Sequence, residues 1–237
     1  MGVTYNNFFY NFEKIMKWIK IDNDSYGTIL TSWCICAVLI FLTARYVPVL
    51  WLSIPLCAIM VIFMIFITYF FRVPNRETPY VDNHQLVTSV ADGKVVIVDK
   101  VYEKEYLKRD CIQISVYMNF FDVHCNFWPI TGEVTYYKYH PGKYLLAFHP
   151  KSSELNEHSS SCMKNEYGEV FFKQIAGTFA RRIVCYSEPG KMEYRGDQCG
   201  VIKFGSRIDL FVPVEADVKV KVGDKVRAVE SVLAVLP

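Results

Sequence analysis

Two long runs without charge most constrain what this 237-residue chain can fold into. Residues 28–44 are almost wholly apolar, and residues 49–71 carry no charged side chain. At about 1.5 Å per residue the second run is long enough to cross a ~30 Å hydrocarbon core, whereas the first is marginal. Arg45-Tyr-Val-Pro48 separates them. Pro48 and Pro55 bend the connection, so the pattern reads as a tight transmembrane hairpin, with a re-entrant or monotopic hairpin as the alternative. Lys14, Lys17 and Lys20 flank the entry and Arg72 and Arg76 the exit, while Arg45 alone marks the turn. The positive-inside rule then puts both ends in the cytoplasm. Ahead of the hairpin, residues 1–27 interleave Phe8, Phe9, Phe12, Ile15 and Trp18 with lysines. This segment reads equally as an amphipathic helix on a membrane surface or as an ordinary helix or tail. The apolar run starts too late and lasts too long for a secretory signal.

Outside the hairpin the composition is ordinary. The formal net charge of +2 gives no case for nucleic acid. The eight cysteines form no CxxC pair and no Cys/His zinc spacing, and His140, His149 and His158 fall nine apart. No metal site is therefore expected. Free thiols fit a reducing compartment, hence a cytoplasmic soluble part attached to the cell (inner) membrane.

From about residue 85 short β-branched or aromatic runs recur between Gly, Pro, Asp and Asn. They include residues 95–98, 112–116, 132–136, 144–147, 170–172, 182–186, 201–212 and 218–222. The spacing predicts a mainly β fold of the sandwich or barrel type. Residues 150–168 are polar and aperiodic and read as a long loop. The expected organisation is an N-terminal segment at 1–27, a membrane hairpin at 28–71 and a β domain at 72–237.

Four features carry candidate chemistry. In Gly200-Val-Ile-Lys-Phe-Gly-Ser-Arg-Ile-Asp-Leu-Phe-Val-Pro213, the apolar row of Phe204, Ile208, Leu210 and Val212 is interrupted by Gly205-Ser206. Taken alone, this is either a β-bulge with a satisfied serine or a place where a hydroxyl is needed beside a flexible peptide bond. Asp92, in an Asp-Gly pair, is a turn signal or a catalytic carboxylate. His124 lies between Asp122 and Cys125 as a structural histidine or a base, although neighbours on a strand point to opposite faces. Arg181, Arg182, Arg195, Lys203 and Arg207 are either solvated surface charges or a phosphate-binding group.

Six motifs in order tie these together: Phe70-Phe-Arg-Val-Pro-Asn-Arg76, Val90-Ala-Asp-Gly-Lys94, Asn119-Phe-Phe-Asp-Val-His-Cys-Asn126, Pro129-Ile-Thr-Gly-Glu-Val134, Ile175-Ala-Gly-Thr-Phe-Ala-Arg-Arg-Ile-Val184 and Phe204-Gly-Ser-Arg-Ile-Asp-Leu-Phe-Val-Pro213. Over roughly residues 65–215 the chain resembles the short-form phosphatidylserine decarboxylase proenzymes.

The resemblance implies a self-processing enzyme. Ser206 matches the family's cleavage serine, Asp92 its triad aspartate and His124 its triad histidine. Asp92 would orient His124, and His124 would take the proton of the Ser206 hydroxyl. The Ser206 oxygen would attack the Gly205 carbonyl carbon and displace the Ser206 nitrogen, giving an ester. β-Elimination would release the Gly205 carboxylate, and hydrolysis of the dehydroalanine would expel ammonia and leave a covalent pyruvoyl group. Residues 1–205 would form the β chain and 206–237 the α chain of a heterodimer. The pyruvoyl at Ser206 would form a Schiff base with the headgroup amine of phosphatidylserine, releasing CO2 to give phosphatidylethanolamine. His124 would then return a proton. Arg181, Arg182 and Arg207 are the candidate contacts to the substrate phosphate. The substrate lies in the bilayer, which gives the hairpin a purpose, and homo-oligomers are left open. Two departures stand out: Asn126-Phe-Trp-Pro129 replaces the usual Asn-Arg-Ala-Pro, and Asn156-Glu-His-Ser159 replaces Asn-Glu-Arg-Asn. The alternatives are the same chemistry on an archaetidylserine-like lipid, a membrane-anchored lipoyl-like module, and a hydrolase using Ser206 or Cys125.

Overall fold

The computed structural model describes residues 20–143, 145, 155–177, 182–203 and 206–237, and of Ser206 the backbone alone. The chain divides into two compact units, residues 1–75 and 76–237.

In the first unit β1 (Lys20–Ile21) leads into α1 (Tyr26–Tyr46), and α2 (Leu50–Phe70) leads into β2 (Arg72–Val73). Each helix has 21 residues, about 31 Å, and is apolar enough to cross a membrane. α1 thus exceeds the run that looked marginal, taking in Tyr26 and Gly27 before it and Arg45 and Tyr46 after it. Pro48 lies between the helices, whereas Pro55 falls inside α2. Most side chains on both helices are exposed, as lipid-facing residues are. β1 and β2 pair antiparallel, Ile21 opposite Arg72, so the two ends of the hairpin are fastened side by side. Arg72 lies over the Tyr69 ring at 3.6 Å and donates to the Tyr69 carbonyl at 2.8 Å. The expected surface helix falls largely on residues 1–19, outside the described residues.

The second unit is built from β3 (Leu86–Thr88), β4 (Gly93–Glu103), β5 (Arg109–Met118), β6 (Cys125–Phe127), β7 (Gly132–His140), β8 (His158–Asn165), β9 (Gly168–Ala176), β10 (Ile183–Cys185), β11 (Met192–Glu193), β12 (Gln198–Ile202), β13 (Ser206–Pro213), β14 (Asp217–Val218), β15 (Lys225–Val226) and β16 (Val232–Val235). The mainly β fold expected from the sequence is the fold found. An eight-stranded sheet runs in the order β11-β7-β8-β9-β13-β5-β4-β15, antiparallel throughout. Two three-stranded sheets, β10-β12-β6 and β14-β16-β3, complete the unit.

Period-two alternation decides the faces of the large sheet. Ile114, Val116, Phe172, Ile208, Leu210 and Val212 point into the main core with Trp128. The intervening Arg207, Asp209, Lys173, Ser160 and His158 share the other face, as the strand registers require. Gly93 opens β4 because a Cβ there would lie 2.2 Å from the Tyr117 carbonyl oxygen. The Asp92-Gly93 pair therefore serves a close approach between the paired strands β4 and β5 as well as a turn.

Two sequence expectations are corrected. Part of the polar segment 150–168 is not a loop: residues 158–165 are β8, enclosed between β7 and β9. Its serines are buried because each hydroxyl has a partner. Ser159 donates to Gln174 Oε1 at 2.8 Å, Ser160 to Glu105 Oε2 at 3.0 Å, and Ser161 shares a 2.7 Å bond with Ser187. Second, residues 201–212 are not one strand. β12 belongs to a three-stranded sheet and β13 to the large one, so the chain changes sheets between Ile202 and Ser206.

Candidate active site

That change of sheet is where the Gly205-Ser206 dipeptide sits; Gly205 itself lies outside the described residues. Ser206 begins β13 and stands opposite both Met118 of β5 and Ala176 of β9. From Met118 the chain makes a short turn and reaches His124. Asn119 N–H donates to Asp122 Oδ2 at 2.8 Å, Phe121 N–H to Asn119 Oδ1 at 2.8 Å, and Asp122 N–H to the Asn119 carbonyl at 3.1 Å. This side-chain pinning suits Asn and Asp, whose short polar groups bond neighbouring amides. The His124 carbonyl then accepts the Ile202 N–H at 3.2 Å. The backbones of His124 and Ser206 are thus carried by the same group of strand ends.

His124 is fully buried, and its Nδ1 lies 2.9 Å from the Asp122 carbonyl oxygen. A carbonyl only accepts, so Nδ1 donates in this contact, and in the neutral ring that leaves Nε2 as the unprotonated nitrogen. That tautomer is the one a base requires. The group fixing it is a main-chain oxygen two residues away, and the anticipated carboxylate is engaged elsewhere. Asp92 forms a two-pronged pair with Arg76, Nη1 to Oδ1 and Nη2 to Oδ2 at 2.7 Å, and its Oδ1 accepts the Ala228 N–H at 2.8 Å. Arg76 Nη1 also donates to the Ala228 carbonyl at 3.0 Å. Burial lowers the proton affinity of Arg76, but its bonds to Asp92 outweigh that effect and raise it overall. Asp92 is thus held in an Asp92–Arg76 clamp. The physical reason is that a guanidinium fork matches both carboxylate oxygens. The Val90 carbonyl, two residues before Asp92, accepts the Phe127 N–H at 3.0 Å and links this turn to β6.

The basic candidates separate. Arg207 is only 1% exposed; its Nη2 donates to Asp209 Oδ2 at 2.9 Å, and its Nε lies 2.8 Å from Asp209 Oδ1 without the alignment of a hydrogen bond. Arg195 is buried and donates to the carbonyls of Pro79, Tyr80, Asn83 and Leu86, which fastens that segment. Its proton affinity is lowered by burial. Lys203 is buried and its amide donates to the Arg182 carbonyl. Arg182 is exposed, and Arg181 falls outside the described residues. Cys125 is fully buried.

Sequence reasoning missed Arg76 as the partner of Asp92, although it ends the first of the six motifs. It also missed Glu157. This residue is 3% exposed, and its Oε2 is buried with no hydrogen-bond partner among the described residues. The Glu157 carbonyl accepts the Ala176 N–H, the position paired with Ser206.

The model of the phosphatidylserine decarboxylase family matches residues 63–234, which spans the hairpin exit, the Asp92 turn, His124 and Ser206. This chain belongs to the phosphatidylserine decarboxylase family. Among its curated relatives, the phosphatidylserine decarboxylase proenzyme of Amoebophilus asiaticus is 49% identical over 171 residues, covering 72% of this chain and 75% of the relative. The proenzyme of Porphyromonas gingivalis is 38% identical over 227 residues, 92% of this chain and all of the relative. That of Prosthecochloris aestuarii is 38% identical over 213 residues, 90% and 96% respectively. The departures from the family pattern find places in the fold. Phe127 and Trp128 are buried, with Trp128 packed edge-on against Phe172 at 6.0 Å, and His158 enters a polar cluster on the far face of the large sheet.

Proposed function

We propose that this chain is a self-processing, pyruvoyl-dependent decarboxylase that converts phosphatidylserine to phosphatidylethanolamine and CO2. The observation that carries the reading is the change of sheet between Ile202 and Ser206 next to the buried His124, whose carbonyl accepts the Ile202 N–H. The family match over residues 63–234 supports it.

In this reading His124 Nε2 removes the Ser206 hydroxyl proton and Ser206 displaces its own amide from Gly205. A pyruvoyl group at Ser206 supplies the electron sink for loss of CO2. The chain's residues fit such a group. His124 offers a buried imidazole, and the orphaned Glu157 oxygen offers a buried acceptor for the cationic headgroup amine. Asp92 acts on the site as a positioning residue through its turn, held by Arg76 and Ala228. His124 returns a proton after decarboxylation. Arg182, which is exposed, and Arg181 are the candidates for the substrate phosphate, because Arg207 is buried against Asp209.

Cleavage leaves a β chain of residues 1–205 and an α chain of 206–237 that stay together. β13 is an interior strand with β5 and β9 on either side, both from the β chain. The 28–71 hairpin inserts in the cell membrane, both ends cytoplasmic, and brings the 72–237 domain to its lipid.

Intact-mass analysis tests the reading. The expected result is two fragments split between Gly205 and Ser206, the smaller without a free amino terminus, and one whole chain for Ser206→Ala. A wild-type chain that stays whole after native expression, or a processed chain that yields no phosphatidylethanolamine from phosphatidylserine vesicles, overturns it.

A further inference from the structure

The face of the large sheet away from the main core carries a cluster that the decarboxylase reading does not use. His140 and His158 are eighteen positions apart, which argued against one local site. They are direct register partners on β7 and β8, and their rings stack at 4.3 Å with planes 13° apart. Glu105 reaches them from the turn between β4 and β5. Its Oε1 lies 2.6 Å from His140 Nε2. That turn is rigid: the Glu103 carboxylate accepts the amides of Glu105, Tyr106 and Leu107 at 2.7–2.9 Å, and Tyr106 stacks on Tyr136 at 4.4 Å. A cavity of about 720 Å³ opens onto the group.

We propose that Glu105, His140 and His158 form a site for one divalent transition-metal ion of the Zn2+ type. Their donor atoms lie within 4.8 Å of one another. Ligand atoms around tetrahedral zinc stand about 3.3 Å apart, so closure takes only small rotations of three side chains. Two imidazoles and one carboxylate suit Zn2+ or Co2+ over Mg2+ or Ca2+, which prefer all-oxygen shells. The supporting contacts are those that metal ligands need. His158 Nδ1 donates to the Asn156 carbonyl at 2.7 Å, which leaves Nε2 as the donor atom. Oε2 of Glu105 is held by Ser160 and by Lys173 at 2.6 Å, and Oε1, which accepts the Tyr136 hydroxyl at 3.2 Å and faces His140, is the oxygen turned toward the ion. The proton shared between Glu105 and His140 is what the ion replaces. Lys173, whose Nζ lies 2.6 Å from Glu105 Oε2, faces the cluster and weakens the site by repulsion.

The test uses the full-length, untagged protein in detergent, stripped with chelator and titrated with Co2+ followed by visible absorption, then with Zn2+ in competition. The expected result is one ion per chain with histidine-type d–d bands. His140→Ala and His158→Arg are expected to weaken binding by at least ~100-fold, beyond the usual effect of outer contacts. His158→Arg keeps a long polar side chain in place of the imidazole, and its thermal unfolding midpoint, compared with that of the wild type, guards against mere misfolding. Lys173→Met is expected to tighten binding by about tenfold or more. Absence of stoichiometric binding to the wild type, or binding equally tight in the His140→Ala/His158→Arg double variant, overturns the proposal. Neither readout depends on decarboxylase activity, so the proposed function stands or falls separately.

Discussion

At the scale of single residues, the Arg76–Asp92 pair couples two motifs that are sixteen positions apart in the chain. Both side chains are nearly buried, at 7% and 12% exposure. Removing one partner of such a pair leaves an uncompensated charge, which costs about 3–5 kcal/mol. Arg76→Ala is therefore expected to lose about that much in chemical denaturation, and Arg76→Ala/Asp92→Ala no more than the single change. A double variant that loses the sum of two independent effects argues against the clamp. The buried thiols give a second expectation. Burial pushes the Cys162 thiol up to about 12 and the Cys199 thiol well above its ordinary value. At pH 8 about one Cys162 in ten thousand is thiolate, so iodoacetamide is expected to leave both unmodified until the fold opens. Labelling of either at the rate of a free thiol in the native state counts against this packing. The same experiment bears on the Cys125 hydrolase alternative, because a fully buried Cys125 is also expected to resist.

At the scale of elements, Gly93 tests the close approach of β4 and β5. A Cβ at 2.2 Å from the Tyr117 oxygen forces a backbone shift, since the obstacle is main chain. Gly93→Ala is expected to cost on the order of 3 kcal/mol and to slow self-cleavage by displacing the Asp92 turn. Normal stability and processing would show that the close approach relaxes freely. The elements also mark how far sequence reaches. β4, β5 and β9 were legible because Val, Ile and Phe recur there in short β-branched or aromatic runs. The motif residues Asp92, His124 and Ser206 were legible as positions in a family pattern. β8 was not, because Ser159-Ser-Ser161 reads as solvated until Gln174, Glu105 and Ser187 are seen to take their hydroxyls. The partners of Asp92 and of His124 Nδ1 were equally hidden. One is chosen by a guanidinium from another segment and the other by a main-chain carbonyl, and neither leaves a trace in side-chain patterning. The Glu105–His140–His158 cluster depends on strand register, which spacing along the chain does not reveal.

At the scale of the whole chain, an anchoring hairpin and a β unit serve one substrate problem. A two-chain phospholipid leaves the bilayer at a cost of about 0.8 kcal/mol per exposed CH2, so an enzyme held at the surface avoids extraction. The apolar lengths of α1 and α2 and the pairing of Ile21 with Arg72 match a hairpin that enters and leaves on one side. Ile59 lies near the middle of α2 and is 61% exposed. A lysine there costs about 2.5–3.5 kcal/mol on insertion scales. Ile59→Lys is expected to shift protein from the carbonate-resistant membrane fraction toward the soluble one. It is also expected to lower turnover of long-chain phosphatidylserine in vesicles by at least ~10-fold, with little change on a water-soluble short-chain analogue and normal Gly205-Ser206 cleavage. Equal loss on both substrates would mean the hairpin supports the catalytic fold itself. Unchanged vesicle turnover would mean that docking relies on other surfaces.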